Sequence, residues 1–202
     1  MIKSKRNQKE EGSKGEKIPV PFSIGDIKEN INLNTNKQSN PSKEQIINQA
    51  FKYHSQGKIV EASKYYQYFI NQGFNDHRVF SNYGVILQGH GKLKEAAISL
   101  RKAIEISPNY VTAHSNLGTI LSDLGELTEA ELSYRKAIEI NPNYAEGHYN
   151  LGNILIDLGK LNEAELSYRK AIQIKPDFAE AYSNLGGILN LLGKLNEAEL
   201  ST

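Results

Sequence analysis

The sequence predicts an all-α solenoid, and its internal repetition is the main observation behind this prediction. Three prolines lie 34 residues apart, at Pro108, Pro142 and Pro176. The blocks 111–144 and 145–178 share 22 of 34 residues. Glycines keep the same period at Gly57, Gly91, Gly125, Gly159 and Gly193. A period of this length is typical of arrays in which each helical repeat covers the apolar face of the next.

Each period is predicted to hold two antiparallel helices. The first carries aliphatic residues at the spacing of one helix face: Leu117, Ile120, Leu121 and Leu124. Gly125 follows where a helix end favours a residue with positive φ. The second carries a similar stripe: Leu127, Ala130, Tyr134, Ala137 and Ile138. It should end before Pro142, because proline cannot continue a helix. Each helix should therefore have about 13 residues, near the usual length.

A glycine recurs in the middle of each predicted first helix, at Gly84, Gly118, Gly152 and Gly186. Each costs about 1 kcal/mol relative to alanine. We expect close approach of the second helix as compensation, opposite the repeated alanines Ala96, Ala130, Ala164 and Ala198. Large aliphatic residues and tyrosines such as Tyr134 would fill the space around that contact.

The period divides the chain into an arm and five units. Residues 1–42 have few apolar side chains and are predicted to be a disordered polar arm, in which the patch 18–22 is a proline-stiffened exception. The units are then 43–76 (unit 1, divergent), 77–110 (unit 2), 111–144 (unit 3), 145–178 (unit 4) and 179–202 (unit 5, incomplete). A unit without a cover exposes apolar surface, so we expect the chain either to continue beyond Thr202 or to fray there.

Composition and charge argue against several classes of function. The net charge is +1, from 24 basic and 23 acidic residues, whereas nucleic-acid binders usually have a basic excess. There is no cysteine, no apolar run long enough to span a membrane, and no apolar leader segment at the N-terminus. The prediction is a cytoplasmic protein that neither binds nucleic acid nor inserts into a membrane.

The repeated residues resemble those of the tetratricopeptide repeat (TPR). Unit 3 matches the degenerate TPR pattern with His114, Leu117, Gly118, Leu121, Ala130, Tyr134, Ala137 and Pro142. Unit 4 matches in the same way, and unit 2 fits with Tyr83 and Leu100 at two of the positions, whereas unit 1 has Ala50 and Phe74 in place of the glycine and the proline. The resemblance implies a right-handed superhelix whose first helices line a concave surface. It also implies a protein-interaction scaffold or adaptor, without naming the partner.

An asparagine occupies the sixth position of every unit, and we call this set the asparagine column: Asn48, Asn82, Asn116, Asn150 and Asn184. An amide offers both a donor and an acceptor to a peptide backbone. The column is similar to the asparagines that grip peptides in the TPR region of O-linked N-acetylglucosamine transferases. We predict binding of an extended peptide or a helix here, with Ser115, Tyr149 and Asn153 beside the column. The alternative is that these asparagines serve local packing.

Catalytic and metal sites are not predicted. His114 and His148 occupy a position that is usually aromatic in TPR units, and they should be about 8–10 Å apart, which is too far to share a zinc ion. No phosphate-binding or nucleophile motif is found, so neither a cofactor nor an enzymatic activity is expected from these residues.

Three alternatives remain open from the sequence. The array could be the substrate-recruiting arm of an enzyme whose catalytic domain follows Thr202, such as a glycosyltransferase or a sulfotransferase, as in bacterial chains of this type. It could be a structural spacer that binds nothing. It could also oligomerise through the incomplete last unit.

Overall fold

The computed structural model describes residues 41–193. The predicted arm up to residue 40, its patch 18–22 and the final segment 194–202 lie outside the described residues. Residues 41–193 form helices joined by short turns and contain no strand. The helices are α1 (Lys43–Ser55), α2 (Ile59–Asn71), α3 (His77–Gly89), α4 (Leu93–Ile106), α5 (Val111–Asp123), α6 (Leu127–Ile140), α7 (Ala145–Asp157), α8 (Leu161–Ile174) and α9 (Ala179–Leu191). Their lengths of 13 and 14 residues confirm the predicted lengths.

The helices stack in the order of the sequence. Within a unit the two helices pack along each other, as α5 does with α6, and the second helix then packs on the first helix of the next unit. The first helices α3, α5 and α7 also contact one another in turn, more closely than the second helices do. The described chain is therefore an α-solenoid in which the first helices lie on the inner, concave side.

The predicted helix ends are confirmed in the turns. After α5, Gly125 adopts a φ of 77°, which a residue with a Cβ rarely adopts. The turn is closed by a hydrogen bond of 2.8 Å from the amide of Glu126 to the carbonyl of Leu121. Helix α6 ends at Ile140, two residues before Pro142. These short turns keep consecutive helices antiparallel.

The mid-helix glycines allow close approach of the second helix, and large side chains lie at the contact. A Cβ on Gly118 would lie 2.9 Å from the ring of Tyr134, and one on Gly152 would lie 2.6 Å from the ring of Tyr168. One on Gly84 would lie 2.9 Å from the side chain of Leu100 and 3.3 Å from the carbonyl oxygen of Ala96. The nearest neighbour of each of these glycines is therefore the side chain at position 24 of the unit.

Ion pairs cross between units on the outer surface. Arg135 binds Glu131 at 2.8 Å within α6, as the spacing of four residues suggests, and it also binds Glu163 of unit 4 at 2.6 Å. Lys160 binds Glu131 at 2.7 Å across the same boundary. Burial acts to raise the pKa of the Glu131 carboxyl, but hydrogen bonds from Lys160 and Arg135 hold it below its usual value. These contacts fix the register between units 3 and 4.

Candidate functional site

The asparagine column lies on the first helices, α1, α3, α5, α7 and α9, and therefore on the concave side. Asn48 is exposed, and the other four side chains are half-buried. The column thus presents amides to solvent along the inner surface. Its members nevertheless differ in what they already bind.

Two amides of the column are held by tyrosine hydroxyls of the preceding unit. Asn82 donates to the hydroxyl of Tyr66 at 3.2 Å. Asn184 donates to the hydroxyl of Tyr168 at 3.3 Å and to the Oδ1 atom of Asn153 at 3.0 Å. These two asparagines connect successive units, which is the packing role that the sequence analysis considered as the alternative.

The remaining amides have no such partner. Asn48, Asn116 and Asn150 make no side-chain hydrogen bond with any residue of the described range 41–193. For Asn116 the cause is visible, because the preceding unit has Leu100 where units 1, 3 and 4 have a tyrosine. For Asn150 the preceding tyrosine is Tyr134, whose hydroxyl binds Thr119 at 2.9 Å instead. Hydrogen-bonding capacity is therefore open in the middle of the groove.

The other candidate residues take different places. Asn153 accepts a hydrogen bond of 2.7 Å from the hydroxyl of Tyr168, in addition to the one from Asn184. Tyr149 is half-buried, and its ring centroid lies 4.9 Å from that of Phe178. Ser115 is buried and lies 3.0 Å from the hydroxyl of Tyr144, so its side chain is beneath the groove surface.

Sequence reasoning missed the tyrosine hydroxyls at position 24, which we call the groove tyrosines: Tyr66, Tyr134 and Tyr168. Burial raises the pKa of Tyr66 to about 12, although the hydrogen bond from Asn82 acts to lower it. Burial also raises the pKa of Tyr168 to about 12, with smaller contributions from Tyr149 and Asp157. Both hydroxyls are therefore neutral near pH 7. Their repetition at a fixed position was the available signal, but it indicated only core packing.

Two carboxylates lie at the same edge of the groove, about two helical turns beyond the asparagine column. Asp123 ends α5 and Asp157 ends α7, and both are exposed. Asp123 accepts a hydrogen bond of 2.7 Å from the side-chain amide of Gln88 on α3. Asp157 occupies the equivalent position of unit 4, and its charge makes a small contribution to the raised pKa of Tyr168. The middle of the groove is thus polar with an acidic edge.

The two repeated histidines lie on the other side of the first helices. The Nε2 atom of His114 is 2.8 Å from the carbonyl oxygen of Pro108, and that of His148 is 3.0 Å from the carbonyl oxygen of Pro142. Burial lowers the pKa of His148, and the charge of Lys170 lowers it further, whereas the bond to Pro142 acts to raise it. Both rings pack as the sequence predicts. Among residues 41–193 no cluster of three or more potential metal ligands is found, and no helix is both long and apolar enough to cross a bilayer.

Comparisons with solved structures find the same fold in other proteins. A crystal structure of MamA has a TM-score of 0.70 at 26% identity, covering 75% of this chain and 89% of that one. MamA from Desulfovibrio magneticus RS-1 has a TM-score of 0.71 at 19% identity, covering 79% and 90%. YrrB, described as a TPR protein with an unusual peptide-binding site, has a TM-score of 0.64 at 24% identity, covering 69% and 72%. The comparison with curated proteins gives no match.

The family model described as TPR repeat matches residues 90–125, 118–156 and 152–193, which together are just over half of the chain. These matches cover the segments that carry the repeated glycine, tyrosine and proline positions. The chain belongs to the tetratricopeptide repeat family.

Proposed function

We propose that this protein is an interaction scaffold that holds an extended peptide segment of its partner in the concave groove. The observation that carries the proposal is the set of amides without a partner at Asn116 and Asn150, at the same position of consecutive helices. Asn48 extends the set toward unit 1. A half-buried amide that no protein group satisfies is a favourable contact for a ligand backbone.

The repeat spacing fits an extended chain. Neighbouring packed helices lie about 8–10 Å apart, and an extended peptide advances about 3.3 Å per residue. The amides of Asn116 and Asn150 therefore meet a peptide once about every three residues. Each can donate to a carbonyl and accept from an N–H group of the ligand. Such contacts read the backbone and tolerate many side chains.

The acidic edge supplies the selectivity in this proposal. Asp123 and Asp157 lie at equivalent positions of units 3 and 4, beside the open amides. A peptide with lysine or arginine about every third residue would place its cations against both carboxylates. The contribution is modest at exposed sites and is weakened by salt. YrrB, a TPR protein with an unusual peptide-binding site, has the same fold and supports a peptide ligand in this proposal.

The experiment compares two alanine variants of the full chain. An arrayed library of short extended peptides identifies a binder, whose affinity is then measured by fluorescence anisotropy. Replacing Asn116 and Asn150 by alanine should lower that affinity by roughly 30-fold, from about 1 kcal/mol for each lost contact. Asn143, exposed in the turn before α7, provides the matched control as Asn143→Ala, which should bind like the wild type.

The circular dichroism spectrum should be the same for all variants, since neither amide supports a contact between residues 41–193. Equal affinity of the double variant and the wild type would contradict the assignment of the groove. A library without any binder would contradict peptide capture altogether and would favour a spacer.

A further inference from the structure

Two cavities on the outer surface repeat with the period of the chain. One, of about 330 Å³, lies between α4, α5 and α6 and is lined by Ile104, His114, Leu117 and Leu132 among others. The other, of about 400 Å³, lies between α6, α7 and α8 and is lined by the equivalent residues Ile138, His148, Leu151 and Leu166. Each lies on the side of the first helix opposite to the asparagine column.

A histidine lines each cavity, His114 in the first and His148 in the second. The equivalent position of unit 2 holds Phe80, which is buried, and that of unit 5 holds Tyr182. An imidazole is smaller than either ring, and the contacts of His114 and His148 with proline carbonyls fix the rings against the turn. A phenylalanine at these positions would therefore take up more of the cavity than the histidine does.

A large apolar side chain stands exposed at the rim of each cavity. Leu132 is 63% exposed and Leu166 is 66% exposed. A single exposed leucine is ordinary on a protein surface. Two leucines at equivalent positions, each beside an apolar cavity, form a continuous feature that a partner could cover. We call this feature the outer pocket pair.

The charges around the second cavity favour a negatively charged partner. Arg135 and Glu139 at this cavity already have ion-pair partners within the array. Lys136 binds Glu139 at 2.7 Å, but the equivalent Lys170 meets only the side-chain amide of Gln173, at 3.0 Å. Lys170 therefore has no carboxylate partner among residues 41–193. It provides a cation at the edge of an apolar cavity.

We propose that the outer pocket pair binds a short acidic and apolar segment of a partner protein. Two apolar side chains of the segment, three residues apart in a chain with the polyproline II conformation, lie on the same side of that chain and enter the two cavities. A carboxylate that follows the second apolar side chain binds the Nζ atom of Lys170. Three residues of such a chain advance about 9 Å, which is close to the distance of about 8–10 Å between packed helices such as α5 and α7. This site is separate from the concave groove and does not depend on peptide capture there.

The test uses a synthetic fluorescent peptide with two leucines three residues apart and a glutamate after the second. It should bind the full chain more tightly than about 1 mM and compete with the same peptide unlabelled. Changing both leucines of the peptide to alanine should abolish binding. In the protein, His114→Phe with His148→Phe takes up more of both cavities than the histidines do, and should weaken binding at least tenfold.

Three further variants isolate the parts of the site. Leu132→Gln with Leu166→Gln changes only exposed side chains and should weaken binding to a similar extent. Lys170→Glu should weaken it severalfold and reduce its dependence on salt. The concave variant Asn116→Ala with Asn150→Ala should bind the acidic peptide like the wild type. A loss of binding at the outer pocket pair is then distinguishable from a loss of binding in the concave groove.

Several results would overturn the proposal. One is that the peptide does not bind the wild type at a concentration of about 1 mM. Another is that it binds the cavity-filling variant and the glutamine variant as tightly as it binds the wild type. A wild-type dimer in sedimentation analysis that becomes monomeric on cavity filling would identify a second copy of the chain as the occupant instead. Removal of residues 1–40 that creates binding where the full chain has none would identify the arm as the occupant.

Discussion

Replacing Tyr168 by phenylalanine removes a single oxygen atom from the floor of the groove. That oxygen donates to the Oδ1 atom of Asn153 at 2.7 Å and accepts from the Nδ2 atom of Asn184 at 3.3 Å. The ring itself is buried and keeps its packing against Gly152. The substitution therefore tests one hydrogen bond within unit 4 and one, from Asn184, that connects units 4 and 5, without creating a cavity.

The size of the loss in stability depends on which hydrogen bonds the remaining groups keep. Asn153 keeps its bond from Asn184 at 3.0 Å, and Asn184 keeps a weaker contact with the hydroxyl of Tyr149 at 3.4 Å. No buried donor or acceptor is left without a partner. The cost is therefore that of one good bond plus one long one, about 1–1.5 kcal/mol in the free energy of unfolding.

The assay is urea unfolding followed by circular dichroism, with Tyr134→Phe as the matched control. The hydroxyl of Tyr134 has one partner, Thr119, and none in the next unit. The control should lose less, about 0.5–1 kcal/mol. Because stability in a repeat array is a sum over units and their interfaces, the loss from Tyr168→Phe should also appear as earlier unfolding of unit 5. Equal losses in both variants would refute the idea that these hydroxyls connect units.

Four further predictions concern stability. Ser81 is buried, and its hydroxyl has no partner among the described residues, so Ser81→Ala should leave the free energy of unfolding unchanged or raise it by up to about 1 kcal/mol. Ser99→Ala should lower it by about 1–3 kcal/mol in the same urea titration, because that hydroxyl donates to the carbonyl of Phe80 at 2.7 Å. Gly152→Ala should lower the melting temperature, since the new Cβ would meet the ring of Tyr168, whereas Gly187→Ala meets nothing and should raise stability by about 0.5–1 kcal/mol. The free energy of unfolding should also fall at alkaline pH, because the pKa of some tyrosines is raised from 10 in the unfolded chain to about 12 in the folded one. Each such tyrosine should lower it by roughly 1.4 kcal/mol per pH unit between these two values. That contribution is fully present below pH 10 and is lost as the pH rises to about 12, and a pH-independent stability over this window would contradict it. The tyrosines concerned are Tyr65, Tyr66 and Tyr168.

The fold was predictable because each local signal in the sequence agrees with the repeat. The glycine that ends the first helix, such as Gly125, and the proline after the second, such as Pro142, act within a few residues of the chain. The length of each helix follows from these two positions alone. The contact partner of Gly118 was less accessible, because both Ala130 and Tyr134 lie on the facing side of the second helix. The packing angle decides that the tyrosine ring comes nearest to this glycine.

The position of the candidate site was predictable from the sequence, but the hydrogen-bond partners of its residues were not. The column was placed on the first helices from its period, yet the period makes Asn82 and Asn116 look equivalent. They differ because the residue that precedes them in space is Tyr66 in one case and Leu100 in the other. That neighbour belongs to the second helix of another unit, and the direction of its hydroxyl depends on how the units stack. The burial of Ser115 has a similar cause in Tyr144.

Units 3 and 4 stand out on both surfaces of the array. On the inner surface their asparagines, Asn116 and Asn150, are the half-buried members of the column without a partner among the described residues. On the outer surface the same units carry His114 and His148 where unit 2 carries Phe80. The causes differ: Asn116 follows a unit with Leu100 in place of the tyrosine, whereas Asn150 follows Tyr134, whose hydroxyl is bound to Thr119. Because the two surfaces lie on opposite sides of α5 and α7, one peptide cannot cover both. Under the two proposals the scaffold would hold two segments at once, and the similarity of units 3 and 4 would give each segment two equivalent contacts instead of one.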